Sequence, residues 1–350
     1  MAKSINQFNE EHSEIVQELK AQLLEKERIL KDYQKGHGQL EVFFNSVLAS
    51  VSAIKPKPIV YVSKHTESTT LVEAVAQITD THMGSVQDGD EIEGFGEYSP
   101  DICDTRSMDF IHRFNRYVDR LRVGYNIHDC SVLVTGDLIS GDIHQELQVT
   151  NAFPVTVQVV RAAQLLAQQI HALSQNFNIV KVHFIGADNH GRLTRKPQAK
   201  QGGLNSLNYL VGVLAEAYLE KCTNVDFNLY AAYEKVVTVL NRNYLITHGH
   251  GMKAWMGIPY YAAERKTGKE AQARMQLIMD QKLKAAEIGF HKMILGHFHV
   301  PINAPLYSFG GSVQGTDAYD HEAGRYAPPS QPGWLVHPRY KEFARVDFEL

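Results

Sequence analysis

Residues 293–299 read Met-Ile-Leu-Gly-His-Phe-His, a short apolar strand that runs into a glycine and then two histidines one residue apart. Alternate side chains of a strand share a face, and just past a glycine turn both imidazoles can turn toward one cavity. Imidazole is a common ligand of zinc, manganese and iron. Taken alone, a His-x-His pair is more often an ordinary surface or core feature, so its interpretation depends on the rest of the chain.

Four further apolar runs end in residues that could hold a metal ion, namely Asp80-Thr81-His82, Gly136-Asp137, Asn189-His190 and His248-Gly249-His250. The apolar runs alternate with helical patterns, which predicts an α/β fold with a parallel or mixed sheet covered by helices. In such sheets, ligands bind beyond the carboxyl ends of the strands. Each turn alone could be a helix cap, an Asx-turn or a solvated histidine. Five such turns at strand ends favour one joint metal site.

Composition narrows the class of protein. The chain has 350 residues, is 44% hydrophobic and 21% charged, and carries a formal net charge of −4. This charge argues against non-specific coating of nucleic acid, although it leaves room for a local basic patch. Three scattered cysteines without a Cys-x-x-Cys motif favour a reducing, cytoplasmic location. We find neither a signal peptide nor an apolar run of about 20 residues, so we expect no membrane partner.

Residues 1–55 differ from the remainder and are predicted to form a helical extension ahead of a main domain at residues 56–350. Glu10–Lys35 is rich in Glu, Lys, Gln and Leu, and contains neither proline nor glycine. Its apolar positions follow a heptad pattern that Lys26 interrupts, which is less than a coiled coil requires. An amphipathic helix packed on its own domain and a homo-oligomer formed through these helices are the two alternatives. Lys55-Pro56-Lys57-Pro58 is predicted to be an extended linker.

The five motifs in this order resemble those of the calcineurin-like metallophosphoesterase superfamily, and the resemblance covers about residues 59–350. It implies a four-layer α/β/β/α sandwich of two mixed sheets, with the helical extension at its N-terminus. It also implies two divalent metal ions. One ion would be held by Asp80, His82 and His299, and the other by Asn189, His248 and His297. Asp137 would bridge the two ions. Manganese is the first choice, with iron or zinc as alternatives.

The resemblance also implies a chemistry. Two cations about 3.5–4 Å apart can clamp a phosphoryl group and activate a bridging hydroxide at neutral pH. His190 would protonate the leaving oxygen, the alternative being a purely structural histidine. Arg192 and His250 are candidate substrate-binding residues, and both could instead belong to a solvated loop.

The sequence departs from the family pattern at two places. Ser140 stands where a further Asp or Asn usually follows the Gly-Asp turn, and the next acid is Asp142. The usual Gly-Asn-His is stretched to Gly186-Ala187-Asp188-Asn189-His190. The tail, with Gly311–Tyr319 and Pro328–Trp334, is similar to phage- and prophage-encoded members, and this looser likeness favours the DNA-repair nuclease branch.

Three functional classes follow. The first is a phosphodiesterase or nuclease acting on DNA, favoured by the tail and by the cations that follow His190, namely Arg192, Arg195, Lys196 and Lys200. The second is a phosphomonoesterase for a nucleotide or phosphoprotein, favoured by the acids Asp88, Asp90, Glu91, Glu93 and Glu97, which would repel a polyanion. The third is a non-catalytic assembly protein that works through its N-terminal helices. The nuclease ranks first.

Overall fold

The structure is a computed structural model, and it describes residues 20, 24–27, 70–194, 196–197, 200–253 and 259–350. The chain divides into two compact units, residues 1–64 and 65–350. In the first unit, the five described residues are helical and exposed. The predicted linker at residues 55–58 lies outside the described residues, as does most of the predicted helical extension. The apolar run Ile59–Val62, which the sequence pattern predicts to be a strand, also lies outside them. The boundary at residue 55 therefore stays a prediction.

The second unit alternates strands and helices, labelled here in chain order. The strands are β1 Leu71–Ile78, β2 Asn126–Val134, β3 Ile179–Ile185, β4 Val225–Tyr230, β5 Glu234–Val239, β6 Arg242–Thr247, β7 Lys292–Leu295, β8 Ile302–Asn303, β9 Tyr307–Phe309, β10 Ser330–His337 and β11 Lys341–Glu349. The helices are α1 Pro100–Leu121, α2 Leu147–Thr150, α3 Val155–Ser174, α4 Leu207–Tyr218, α5 Tyr260–Met279, α6 Ala285–Ile288 and α7 Ala318–Glu322, with a 3₁₀ turn at Gly89–Ile92. No helix in the described part of the chain is long and apolar enough to span a membrane.

The strands form two sheets. The larger has the order β11-β10-β1-β2-β3-β4, and the smaller has the order β5-β6-β7-β9-β8. In the larger sheet β1 to β4 are parallel neighbours, whereas β10 is antiparallel to both β1 and β11. In the smaller sheet β6, β7 and β9 are parallel, and β5 and β8 are antiparallel edge strands. Both sheets are therefore mixed.

Three hydrophobic clusters define four layers. One face of the larger sheet packs against α1, α3 and α4. Its other face packs against the smaller sheet, where Val75 and Trp334 meet Tyr244 and Ile294. The far side of the smaller sheet packs against α5 through Ala263. The predicted α/β/β/α sandwich of two mixed sheets is confirmed.

The ends of the long helices follow from local signals. The α1 helix begins with Ser99, whose side chain accepts a hydrogen bond from the Ile102 amide, and with Pro100 in the first turn. Its buried residues include Phe110, Phe114 and Val118, which are spaced four residues apart and so lie on one face of the helix. The sequence pattern predicts a helix over Lys269–Ala286, and this prediction is wrong at both ends, because α5 starts after Pro259 and stops at Asp280. Gln281 then takes a left-handed backbone, which breaks the helix.

Candidate metal centre

The five motifs follow β1, β2, β3, β6 and β7, so the prediction that each turn lies at the carboxyl end of a strand is confirmed. Backbone hydrogen bonds join neighbouring loops: the Asp80 amide donates to the Gly136 carbonyl at 3.0 Å, and the His82 amide donates to the Asp137 carbonyl at 3.0 Å. The His297 amide donates to the Asp80 carboxylate at 3.0 Å. That last bond ties the edge of the smaller sheet to the edge of the larger one.

The first cluster consists of Asp80, His82 and His299, whose ligand atoms all lie within 4.8 Å of one another. Nε2 of His299 is 3.6 Å from Oδ1 of Asp80, and Nε2 of His82 is 4.0 Å from the same oxygen. All three residues are buried. Two imidazoles and one carboxylate thus aim at one point, as the sequence predicted for the first metal ion.

The second cluster consists of Asp137, His248 and His297, again with ligand atoms within 4.8 Å. Nε2 of His248 lies 3.0 Å from Oδ2 of Asp137 and 2.8 Å from Oδ1 of Asn189. Asn189 therefore points into this cluster, and the structure brings together the residues predicted for the second ion.

Asp137 lies between the two clusters. Its carboxylate belongs to the second cluster and also groups with His82 and His190. Burial alone would raise the pKa of Asp137, but the positive charge of His248 and of His190 lowers it well below its usual value. A buried carboxylate shared by both halves has the position expected of the predicted bridge.

The contacts of the buried histidines indicate that protons or metal ions must lie between the donor atoms of the centre. The lone pair of a neutral His248 Nε2 would face two oxygen acceptors, which is repulsive unless a proton or a metal ion lies between them. Nδ1 of His248 faces the Thr135 carbonyl at 2.8 Å, so that nitrogen carries a proton as a donor. Burial opposes a charge here, yet Asp137 raises the pKa of His248 to about 9. Burial and the same His248 keep the pKa of His297 well below its usual value, so that the His297 ring is neutral.

The backbone of the site is strained. Among the described residues, eleven other than glycine have positive φ, and five of them are predicted ligands: Asp80, His82, Asp137, His297 and His299. A left-handed backbone costs a residue with a side chain on the order of 1–2 kcal/mol. Such outliers persist where the surrounding structure imposes them, and they cluster at functional sites.

His190 lies at the edge of the centre, with its ring centroid 4.7 Å from that of His82. Its Nδ1 is 2.6 Å from the Ser140 carbonyl, and its Nε2 is 3.9 Å from Oδ2 of Asp137. Ser140 thus contributes a backbone acceptor at the position where the resemblance expects a side-chain acid. The ligand atoms of His190, His82 and Asp137 lie within 4.8 Å of one another.

Asp188, which belongs to the stretched third motif, links the loops that carry Asp137 and Gly191. Its carboxylate accepts the amides of Asp137 at 3.0 Å and Gly191 at 2.9 Å, and the Ser206 hydroxyl at 3.3 Å. Burial and the nearby Asp137 raise the pKa of Asp188 to about 7.

The two predicted substrate residues lie beside the centre. Arg192 and His250 line one small cavity together with Lys200 and Tyr233. The Arg192 Nε donates to the Thr194 carbonyl at 3.0 Å. The His250 ring centroid is 5.6 Å from that of His248, and burial together with His248 lowers the pKa of His250 to about 4. Arg195, in the same predicted cationic loop, lies outside the described residues.

Sequence reasoning missed Asp320, which contacts His299 Nδ1 through Oδ2 at 2.5 Å. Its neighbour Asp317 groups with the same histidine. The tail around Asp317 was singled out only for its likeness to other proteins, and no spacing rule connects Asp320 to a histidine 21 residues earlier.

The donor set fits divalent metal ions. Carboxylate, amide and imidazole groups suit manganese, iron and zinc. Two of the predicted ligands, His248 and His299, present Nδ1 to a protein acceptor and Nε2 to a carboxylate of the centre. Anchoring of one ring nitrogen is the usual arrangement for a histidine that binds metal through the other.

Comparisons with known proteins were made by sequence and by structure. No family model matches the chain, and no curated protein sequence matches it. A predicted phosphoesterase from Streptococcus pneumoniae TIGR4 aligns at 9% identity with a TM-score of 0.25, covering 80% of this chain and 98% of that one. The phosphoesterase YfcE from E. coli aligns at 11% identity with a TM-score of 0.29, covering 78% and 98%.

A third solved structure, a putative 5'-nucleotidase from Staphylococcus aureus in complex with alpha-ketoglutarate, aligns at 10% identity with a TM-score of 0.29, covering 79% of this chain and 53% of that one. Likenesses at such identities and TM-scores carry no argument about function. The function is therefore argued from the residues of this chain.

Proposed function

We propose that the chain is a metal-dependent phosphoester hydrolase with a dinuclear centre. The observation that carries this proposal is the convergence of two donor clusters on the buried carboxylate of Asp137, at the carboxyl ends of five strands. A non-catalytic assembly protein has no need for such a buried, strained and charged arrangement. The same observation favours an enzyme over that alternative.

Asp80, His82 and His299 would hold one divalent ion, Asn189, His248 and His297 the other, and Asp137 both. When bound, such a pair of ions supplies Lewis acidity and neutralises the charge of a phosphoryl group. The residues of this chain fix the ligand directions through strained backbone and anchored imidazoles. Manganese is the proposed metal, with iron and zinc as alternatives.

His190 is the proposed general acid. Its Nδ1–H donates to the Ser140 carbonyl, which fixes the ring and directs Nε2 to the edge of the centre. From there, a proton on Nε2 can pass to the oxygen of a departing alcohol. This nitrogen lies 3.9 Å from Oδ2 of Asp137, beside the proposed bridge.

DNA is the proposed substrate, cleaved as a phosphodiester. Support comes from the cationic segment after His190, where Arg192 and Lys200 line a cavity with His250, and from the exposed Lys196. Positively charged side chains spaced along one loop are suited to binding the phosphates on either side of a scissile bond. Membership of the phage-like DNA-repair branch, and a cytoplasmic location, are parts of this same proposal.

A phosphomonoesterase is the second candidate, and the acidic segment 88–97 favours it. Asp88, Asp90, Glu91, Glu93 and Glu97 are all exposed. The segment adjoins the first cluster, because the Gln87 side chain accepts the amide of Ala318, two residues before Asp320. Five carboxylates there would repel a long polyanion more than a small monoester.

One set of assays separates these candidates. The protein, purified metal-free and reconstituted with Mn²⁺, is assayed against an aryl phosphate monoester, an aryl phosphodiester, and single- and double-stranded DNA. Cleavage of DNA and of the diester well above the monoester supports the nuclease, and the reverse order supports the monoesterase. Asp137→Asn is the matched inactive control, because it removes the charge shared by both clusters. Activity of this variant within about tenfold of the parent would contradict the proposed centre.

A further inference from the structure

The two halves of the centre anchor their histidines differently. In the second cluster, His248 Nδ1 meets a neutral backbone carbonyl, that of Thr135, at 2.8 Å. In the first cluster, His299 Nδ1 meets a carboxylate oxygen of Asp320 at 2.5 Å. A carboxylate forms a stronger, charge-assisted bond to an imidazole than a carbonyl does, and it makes the opposite nitrogen more basic.

Asp320 is itself fixed. Its second oxygen, Oδ1, accepts from Nε of Arg325 at 2.8 Å and from a terminal nitrogen of the same guanidinium at 2.7 Å. Its amide donates to the side chain of Asp317 at 2.7 Å. Asp320 is 1% exposed. A buried carboxylate with each oxygen engaged in this way has one available orientation, and that orientation points Oδ2 at His299.

The segment that carries Asp320 also forms hydrogen bonds with the backbone of Asp80 in the first cluster. The Val313 amide and the Ser312 hydroxyl both bond the Asp80 carbonyl, at 3.1 and 3.0 Å. Arg106 donates to the carbonyls of Val313 and Gln314. The tail therefore holds both the backbone of one predicted ligand and the imidazole of another.

We infer that Asp320, held by Arg325, is a positioning residue for the metal ion of the first cluster. Asp320 accepts a hydrogen bond from Nδ1–H of His299. This bond fixes the tautomer of His299 in which Nε2 is the ligand atom, beside Asp80 and His82. This inference rests on the proposed function, since it concerns the same centre. Asp320 contacts a predicted ligand of the first cluster, so its loss should lower the affinity for that ion more than the affinity for the other.

Titration of the metal-free protein with Co²⁺, followed by visible absorption and by calorimetry, tests the inference without an activity assay. The parent should bind two ions per chain. Asp320→Ala should reduce the affinity for one of the two ions by about 10–100-fold and leave the affinity for the other unchanged, since loss of such a partner typically has that effect. Asp320→Asn, which keeps an acceptor oxygen without the charge, should give a smaller loss at the same ion.

Asp104→Asn is the matched control, because Asp104 forms a similar pair with Arg161 at 2.5 Å but contacts no predicted ligand. Its two affinities should equal those of the parent. A two-bond ¹H–¹⁵N spectrum gives a second readout: Nδ1 of His299 should be protonated in the zinc-loaded parent, and this signature should change in Asp320→Ala.

Each outcome decides one question. A parent that binds no Co²⁺ overturns the proposed function. A parent that binds two ions, with unchanged affinities in the Asp320 variants, overturns only the inference drawn from Asp320. An equal loss of affinity for both ions also overturns the inference, because that result indicates a general structural role for Asp320. If Asp320→Ala does not fold, Asp320→Asn decides by the same criteria.

Discussion

His82 and His299 point their Nε2 atoms at each other across 3.1 Å, although 217 residues separate them in the chain. Two lone pairs at this distance repel, so one nitrogen must carry a proton or both must face a cation. Burial and His190 hold the pKa of His82 well below its usual value, whereas Asp320, against the effect of burial, raises that of His299 to about 10. His299 therefore carries the proton when no metal is bound.

Metal binding should consequently release protons. At pH 8, His299 and His248, with pKa values raised to about 10 and about 9, are protonated and must lose a proton to become ligands. Affinity for Mn²⁺ should rise with pH up to this range and fall as pH decreases. Calorimetry in two buffers with different ionisation enthalpies measures the number of protons released. A value of zero at pH 8 would contradict the predicted ligand roles of both histidines.

Replacement of His190 distinguishes a proton donor from a structural histidine. A general acid contributes typically about 10²–10⁴-fold where the leaving oxygen needs a proton. His190→Ala at saturating Mn²⁺ should therefore impair DNA cleavage by about that factor, while an aryl phosphodiester with a stable phenolate leaving group should lose far less. His144→Ala is the control, since His144 lies beside His190 with ring centroids 6.2 Å apart and groups with no predicted ligand. Equal losses on both substrates would exclude the acid role.

Gly296 gives the histidine pair its close approach to Asp80. A Cβ at this position would overlap the Asp80 carboxylate and the Thr79 hydroxyl. Gly296→Ala should therefore move the carboxylate and reduce Mn²⁺ affinity by at least about tenfold, as for loss of a supporting contact to a ligand.

The matched control for Gly296→Ala is Gly268→Ala, within α5, where a Cβ meets no atom within 4 Å. That substitution should raise the free energy of unfolding by up to about 1 kcal/mol, through helix propensity alone, and leave metal affinity unchanged. Equal metal affinities in the two variants would contradict the steric role of Gly296.

His183 predicts a pH effect on stability that is separate from the centre. Burial lowers its pKa to about 4, from an ordinary value near 6.5, and its Nδ1 contacts the Tyr230 hydroxyl at 3.0 Å. The unfolded chain therefore takes up a proton before the folded protein does. Stability from the neutral imidazole is complete above pH 6.5 and is lost toward pH 4, by about 3 kcal/mol for this group.

Urea unfolding of the parent and of His183→Gln between pH 7 and pH 4 measures this loss. The carboxylates contribute equally to both proteins, so the difference between the two pH profiles reports His183. The variant should lose less stability than the parent as the pH falls. Parallel profiles would show that His183 takes up its proton in the folded protein as readily as in the unfolded one.

Residues 1–55 should matter for assembly and not for catalysis if their helices associate between chains. Deletion of these residues should then lower the mass in solution by whole subunits, because the apolar face of an amphipathic helix is buried by its partner. Hydrolysis of a small aryl ester should remain close to that of the parent. Light scattering before and after deletion gives the number of subunits, and an unchanged number would support packing of the helices within one chain.

The sequence by itself determined the strands that carry the site and the residues at their ends. Short apolar runs followed by Asp, Asn or His, separated by helical patterns, were sufficient because both features are local. β1, β2, β3, β6 and β7 lie where those runs predicted. The sandwich class followed from the resemblance that these motifs carry.

Tertiary structure alone decided which tail residue supports which histidine. The edge strands β4 and β5 and the four strands from β8 to β11 were not predicted, because they are short, amphipathic or interrupted by glycine and proline. Their pairing is non-local: β10 joins β1 across more than 250 residues, as in the pair of Ala74 with Leu335. Pairing between such distant segments depends on the packing of the whole sheet and leaves no periodic signal in the sequence.

The same physical reason explains the contact of Asp320 with His299 and the left-handed backbone of the predicted ligands. Asp, His and Gly in a turn are compatible with several conformations, and no local preference selects the strained one. Hydrogen bonds from other loops select it, such as that from the His297 amide to Asp80. The sequence supplied the donor atoms of the centre, and the packing of the two sheets and the tail set their directions.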